Sequence, residues 1–400
     1  MIFIAAIVGG TAAFAWYVAE RPMDFRVYHY GARGVFDGTR PVYGPTSGLG
    51  WPMHYRYPPL FLLLFTPLAL LPLGLSAATW LVLKVGVLVS LIRAFNARLK
   101  PMAGKIGWII PLFLAGPYVV EDLRYGNAQL FVFALTAFSL MLVREKPLLS
   151  SLTLALGIAV KVWPLFFIPY LLVRRETKVV VWTLCIVLVL TAIPSLYFGV
   201  DGNLRLLGQW FSQEFATQSG SQEIWFPSQS LRGMLMRYLT VVDYSQVPDG
   251  NYRPVHLVSW SPDIVRMIWL CSAIVVYVAF LWWTASRWKD DGWVDHGLAF
   301  CLVALLQPFT QKYALVMLLW PAIVVGRYVW QSARTVVYLS IAMVLIQPVV
   351  PGSDAQRLLQ VLGLDFAATL TLAVALAWMV KAEPAVTTFS SLRNTSFNSE

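Results

Sequence analysis

Charge is what this chain has least of. Asp, Glu, Lys and Arg make up 12% of its 400 residues, about half the roughly 25% of an ordinary soluble domain. That shortfall excludes a soluble enzyme or a soluble binding module. Cysteine is nearly missing too: Cys185, Cys271 and Cys301 all fall in apolar runs, which excludes a disulfide framework. His29, His54 and His256 lack the H-E-x-x-H or paired-histidine spacing of zinc sites. There is no Walker loop, no dinucleotide fingerprint and no G-x-S-x-G elbow. A soluble nucleotide-binding domain is therefore excluded, and any activated donor must arrive otherwise, most simply as a membrane lipid.

What the chain does have is apolar length. Hydrophobic residues make up 58% of it and the mean hydropathy is +0.66, the composition of an all-α polytopic membrane protein. About twelve spans are expected, over 2–19, 76–96, 106–120, 128–143, 147–160, 163–173, 179–197, 263–285, 294–309, 313–330, 335–350 and 364–380. The first 19 residues lack a basic n-region, and Trp16-Tyr17 suits a cleavage site poorly, so they read as a retained span. Pro58, Pro59, Pro67 and Pro72 crowd the apolar stretch 59–73, which reads as a re-entrant hairpin. With that hairpin, Arg93/Arg98/Lys100/Lys105, Arg144/Lys146, Arg174/Arg175/Lys178, Arg287/Lys289 and Arg327/Arg334 all fall on one side, the cytoplasmic side by the positive-inside rule. Both termini are then cytoplasmic. The formal charge of +10 is mostly topology, and no nucleic-acid partner is expected. Residues 1–381 form one transmembrane domain, and 382–400, rich in Ser, Thr and Asn, read as a disordered cytoplasmic tail.

The unusual polar motifs fall in the external segments 20–75, 121–127, 161–162, 198–262, 310–312 and 351–363, of which the loops 20–75 and 198–262 would cover a cavity. Asp24, just beyond the first span, suits a general base toward a sugar hydroxyl; the plainer reading pairs it with Arg26 or Arg21. Lys161 stands between two short apolar half-helices, with Pro164 preventing one from continuing into the next. A cation at such a break suits a lipid phosphate, or it snorkels to the headgroups. Arg124 and Lys312 carry the same pair of readings. Glu121-Asp122 is better matched to a salt bridge with Arg124 than to a metal, because adjacent carboxylates do not easily aim at one ion, and no metal site is expected. Lys84, mid-span, pairs inside the bundle or snorkels. The remaining polar and aromatic side chains of these motifs, Tyr28, His29, His54, Arg56, Tyr57, Asn127, Gln129, Gln229 and Gln311, are candidate substrate contacts. Most aromatics of the first loop, including Tyr43 and Tyr55, are expected in an interfacial belt. Segments 25–37 and 203–217 mix polar and apolar residues as membrane-surface helices do.

Several of these motifs occur together in one known family. Asp24-Phe25-x-Val27-Tyr28, Gly38-x-x-Pro41-Val42-Tyr43, Arg56-Tyr57-Pro58-Pro59-Leu60-Phe61 and Pro67-Leu68-Ala69-Leu70-Leu71-Pro72 are followed in order by Lys161-x-x-Pro164, Gln229-Ser230-Leu231, Pro308 with Tyr313, and Leu318-Leu319-x-Pro321. The set resembles glycosyltransferase family 87, the polyprenol-phosphate-mannose-dependent mannosyltransferases of the GT-C superfamily, over roughly residues 20–321. One departure is that Gly126-Asn127-Ala128-Gln129 stands where the family often has Gly-Gln-x-Asn.

The resemblance implies a GT-C-like bundle with an outward cavity in a bacterial inner membrane. It implies a metal-independent inverting transfer of a hexose, mannose above all, from a polyprenyl-phosphate donor. No cofactor is implied beyond that lipid-linked sugar, and the expected acceptor is a glycolipid or glycan hydroxyl. Asp24 then matches the family's first-loop base and Lys161 its lysine at the helix break, with Arg124 and Lys312 helping to neutralise the phosphate. A multi-span transporter or lipid flippase is the alternative, since broken helices bearing a lysine suit midplane binding. Against it, no internal repeat is evident and the polar motifs cluster in outer loops.

Overall fold

A computed structural model describes residues 2–20, 24–37, 41–44, 54–99, 109–217, 227–241, 254–289, 292–328 and 354–382. Among these residues there is no strand. The helices follow the apolar runs: α1 (Ile2–Glu20), α2 (Asp24–Asp37), α3 (Pro59–Ala69), α4 (Leu73–Arg98), α5 (Ile109–Tyr125), α6 (Gln129–Leu142), α7 (Pro147–Val160), α8 (Phe167–Val173), α9 (Thr177–Ala192), α10 (Ser195–Thr217), α11 (Leu231–Leu239), α12 (Pro262–Ala285), α13 (Trp293–Leu306), α14 (Leu319–Tyr328), α15 (Asp354–Leu362) and α16 (Leu364–Ala382). Short 3₁₀ turns at Trp163–Phe166 and Lys312–Leu318 precede α8 and α14.

Local chemistry places the breaks. Pro59 opens α3 at a position whose N–H is not needed. Lys161 caps α7 in extended conformation, and Pro164 then starts the 3₁₀ turn, so the apolar run from 147 to 173 is two half-helices. The hydroxyls of Ser230 and Ser261 cap α11 and α12 by accepting from the backbone N–H of Gly233 and Ile264. α9 and α10 meet at 94° across Ile193 and Pro194, so the stretch 179–197 is not one straight helix.

Among the described residues, only α4 and α12 are individually long and apolar enough to cross a bilayer; α9 with α10, bent by 94°, and α15 with α16, bent by 51°, meet the test only as pairs. α3, α6, α7, α13 and the broken run 163–173 are shorter apolar helices. The expected span 335–350 and the tail from 383 onward lie outside the described residues.

Two cores hold the helices together. The larger joins α4, α5, α6, α7, α8, α13, α14 and α16, with Phe95, Tyr118, Phe133, Phe167, Phe300 and Trp320 fully enclosed. The smaller is aromatic and sits where α2, α3, α4 and the start of α6 meet. Here the structure corrects the reading of the first loop. Tyr28, Tyr43, Tyr55 and Tyr57 are each 5% exposed or less and pack inside the protein, not in an interfacial belt. Their loop folds back onto α3 and α4, so rings from one segment of chain fill space between helices. Trp51 lies outside the described residues.

Beyond the far end of α6 a second buried polar group ties loops together. Arg174 donates to Asp295 at 2.8 Å with both side chains buried and Tyr170 hydrogen-bonds His296, while at the exposed edge Arg144 donates to Glu176 at 3.0 Å. Removing one partner of a buried pair leaves the other charge uncompensated, typically at a cost of roughly 3–5 kcal/mol. Asp295→Leu is therefore expected to lower the thermal unfolding midpoint of the detergent-solubilised protein markedly, whereas Glu145→Gln, which breaks the exposed pair with Arg98, leaves it close to wild type.

Candidate active site

The aromatic core positions the first candidate residue. Phe25 packs against Phe65 and Trp80 and seals α2 onto α3 and α4, which carries Asp24, the first residue of α2, inside. The Trp80 indole donates to the Gly126 carbonyl at 2.8 Å. Gly126 has φ +64°, and a Cβ there would stand 2.8 Å from that of Phe25. Only glycine permits the turn after α5 to lie this close to α2.

Lys84 locks the same turn from below. Its ammonium, fully buried, lies 2.6 Å from the Asp122 carboxylate, 2.6 Å from the Asp122 carbonyl and 2.7 Å from the Asn127 carbonyl. Two of its three donors go to the two carbonyls, and the carboxylate is its counter-ion. Lys84 thus pairs within the bundle, one of the two readings open for it.

Asn127 is delivered by that turn to Asp24. Its Nδ2 donates to Asp24 Oδ2 at 2.6 Å. Its Oδ1 accepts from the Gln129 backbone N–H at 2.9 Å and from the Tyr57 hydroxyl at 3.3 Å. The Tyr57 and Tyr28 hydroxyls are 2.7 Å apart. Burial raises the Asp24 pKa, while the Asn127 hydrogen bond and the positive charges of Lys161, Lys84 and Arg56 pull against it. The Lys161 amine lies over the rings of Tyr57 and Tyr313, 5.5 and 5.8 Å from their centroids. Burial lowers its pKa to about 8, with Asp24 opposing and Arg56 adding to the shift.

Arg56 is held from a different quarter. Its guanidinium makes two 3.0 Å bonds to Glu214 of α10. Trp210 and Gln213, also on α10, donate to the carbonyls of Arg56 and Tyr55 at 3.1 and 2.7 Å. The large-loop helix is thereby tied to the first loop.

Of the residues singled out in the sequence, Asp24, Tyr28, Arg56, Tyr57, Asn127 and Lys161 converge. Gln129 begins α6 beside them, buried, with its amide unpartnered. The others are turned to different tasks. His29 bonds the Leu71 carbonyl between α3 and α4, and His54 the Gly44 carbonyl. Arg124 is occupied by Glu121 at 2.6 and 2.9 Å and by the Tyr17 hydroxyl. The charge of Lys312 acts on Asp365 at the start of α16. Gln229 donates to the Gln360 carbonyl, and its backbone N–H donates to that of Thr310, so it braces three segments. Gln311 lies half-buried at the head of the 3₁₀ turn that carries Tyr313. Tyr313 and Glu214 were not anticipated as site residues. Tyr313 had a signal, its place directly after Gln311-Lys312; Glu214 had none. Among the described residues no three His, Cys, Asp or Glu side chains converge as a metal would need.

A strongly apolar chain, all-helical among the described residues, that gathers carboxylates, lysines, an arginine and a wall of tyrosines inside defines a helical membrane protein with an internal polar site. The pattern of glycosyltransferase family 87 matches residues 55–318, and the chain belongs to that family. The matched stretch includes Arg56, Tyr57, Asn127, Lys161 and Tyr313; Asp24 precedes it. Among curated proteins the chain is similar to the polyprenol-phosphate-mannose-dependent alpha-(1-2)-phosphatidylinositol mannoside mannosyltransferase of Mycobacterium tuberculosis, 28% identical over 174 residues, which is 39% of this chain and 40% of that protein. It is similar to the protein of the same name from Mycolicibacterium smegmatis, 29% identical over 173 residues, 38% of this chain and 39% of the relative. The chain thus spans about two-fifths of the length of the curated relatives it matches.

The clamp on the turn generates a test. Lys84→Met strands the buried Asp122 carboxylate and is expected to destabilise the protein by roughly 3–5 kcal/mol, with much of that regained in Lys84→Met/Asp122→Leu, where neither charge remains. Thermal unfolding in detergent compares the two variants.

Proposed function

We propose that this chain is a membrane glycosyltransferase that moves mannose from a polyprenyl-phosphate-mannose donor to an acceptor hydroxyl. The observation that carries this reading is the Asp24 carboxylate, held on one oxygen by Asn127 and acted on by the positive charges of Lys161 and Arg56 beside a tyrosine wall. Family membership supports the reaction class. The relatives' names specify polyprenol-phosphate-mannose as donor and a phosphatidylinositol mannoside as acceptor. The donor is taken over to this chain within the proposal; the acceptor is proposed more broadly as a glycolipid or glycan.

The mechanism is a single displacement with inversion. The acceptor oxygen attacks the anomeric carbon while its proton passes to Asp24, and the bond from that carbon to the phosphate oxygen breaks. The bonding pair leaves with the polyprenyl phosphate, through an oxocarbenium-like transition state. Phosphate is a good leaving group, so no general acid is required. Lys161 and Arg56 stabilise its developing charge, an effect strengthened in a site shielded from water. Lys161 is better placed for this than Arg124, which is paired with Glu121; Arg56, though paired with Glu214, still acts on the same site through its charge. Neither metal nor cofactor takes part. The site opens to the external face of a bacterial inner membrane, with both termini cytoplasmic, about twelve spans in a GT-C-like bundle, and the segments 25–37 and 203–217 at the membrane surface.

Membranes containing the chain are expected to transfer label from polyprenyl-phosphate-[14C]mannose to total lipid. Asp24→Asn is expected to reduce the rate by about 10²–10⁴-fold, the usual contribution of a general base. Activity unchanged in that variant at normal expression removes Asp24 as base. Labelled lipid crossing the bilayer with no transfer points to a transporter instead.

A pH profile tests the cation separately. Lys161 must be protonated to hold the phosphate, and burial brings its pKa down to about 8, so kcat/KM for the donor is expected to fall as pH rises through about 8. In Lys161→Arg, whose guanidinium does not lose its proton in this range, that limb disappears even though the rate is lower.

A further inference from the structure

Asn127 is more constrained than a substrate-contacting amide needs to be. In most proteins the oxygen and nitrogen of an Asn side chain are told apart only by their neighbours. Here one neighbour decides the matter: the Gln129 backbone N–H, 2.9 Å from Oδ1, can only donate. A flipped amide would set its NH₂ against that N–H. The oxygen must therefore face Gln129, and the nitrogen must face Asp24. Tyr57, itself bonded to Tyr28, adds a second donor to the same oxygen. The backbone is pinned as well, since the Asn127 carbonyl accepts from Lys84 and Gly126 holds the preceding turn in a left-handed conformation. Among the described residues nothing donates to the other Asp24 oxygen, Oδ1.

We propose that Asn127 is a positioning residue for the Asp24 base: locked in one amide orientation, it ties up Oδ2, favours the charged form of the carboxyl by donating to it, and leaves Oδ1 as the oxygen that receives the acceptor's proton. This inference rests on the transferase reading above and deepens it. Asn127 acts on the reaction through Asp24, because its oxygen is filled by two donors and its nitrogen is directed to the carboxylate. The Gly-Asn-x-Gln order of this chain is then the arrangement that puts the amide, and not the longer Gln129 side chain, against the base.

The sign of the effect follows from hydrogen bonding. A donor to the ionised carboxylate favours that form, and removing it lets burial push the pKa up. The groups facing Asp24 that share this field are Arg56, Tyr57, Lys84, Tyr125, Lys161 and Tyr313, with Tyr28 on its own helix. All stay in place in a variant confined to Asn127.

The test uses the full chain in nanodiscs, with Asn127→Leu and Asn127→Asp beside wild type. Asn127→Asp retains an acceptor for Gln129 and Tyr57, so it keeps the turn if the leucine variant fails to fold. Two readouts are taken: the pH dependence of mannose transfer, and the infrared titration of the Asp24 carboxyl, isolated by subtracting the spectrum of Asp24→Asn in the same Asn127 background. The acid limb of kcat and the infrared midpoint are both expected to move up by about one pH unit or more in Asn127→Leu, about tenfold less ionised base below the limb. The move is expected to be larger in Asn127→Asp, where two carboxyls compete, while the donor KM changes little. A folded variant with both midpoints at the wild-type position overturns the proposal, even if its rate is low. Should the infrared midpoint move while the rate profile stays put, Asp24 is not the base and the mechanism above fails, although Asn127 still sets its charge. If wild type transfers no mannose, the transferase reading fails and the infrared titration alone decides whether Asn127 controls Asp24.

Discussion

A lysine in the middle of an apolar helix has to be answered from within the protein, and the answer given to Lys84 organises this site. Leaving an ammonium unpaired at such depth costs several kcal/mol. One short stretch supplies its partners: the Asp122 carboxylate as counter-ion and the carbonyls of Asp122 and Asn127 as hydrogen-bond acceptors. Because the acceptors belong to the end of α5 and the turn beyond it, the lysine fastens that turn to α4. Everything that touches Asp24 from this side, the Asn127 amide and the close approach of Gly126 to Phe25, depends on where the turn is held.

The second constraint is the balance between burial and charge. Asp24 is buried and Lys161 and Arg56 are partly buried, so the carboxyl would be costly without nearby positive charge. Together they form a group in which burial raises the pKa of the carboxyl and lowers that of the Lys161 amine, while each charge opposes the shift of the other. The tyrosines serve this balance in two ways. Their rings exclude water and offer Lys161 electron-rich faces, and the Tyr28–Tyr57 hydroxyl pair closes the hydrogen bonding around Asn127. Glu214 extends the network to α10, so the large loop is coupled to the first loop by a charge pair and not by apolar contact alone.

The helices themselves were largely legible. Apolar runs bounded by proline and basic residues located α4, α6, α7, α12 and α13 to within a few residues, and the helical break at Lys161 was visible from Lys161-Val162-Trp163-Pro164 alone. The Glu121–Arg124 pair was readable because i,i+3 neighbours share a helix face. The first-loop tyrosines were misread because an aromatic ring suits a membrane interface and a protein core equally, and composition does not distinguish them. The right angle between α9 and α10 was missed, since hydropathy runs continuously through the bend.

By itself the sequence determined the class of protein, most of the helices and the short list of charged groups available for chemistry, because these follow from local hydropathy, proline placement and the scarcity of ionisable residues. Only the tertiary structure decided which of those groups work together. Asp24 meets Asn127 across 103 positions, Lys84 meets Asp122 across 38, and Arg56 meets Glu214 across 158. Pairing of this kind is set by how helices stack and by the need of each buried charge for a partner. No periodicity within one segment records a partner that arrives from another.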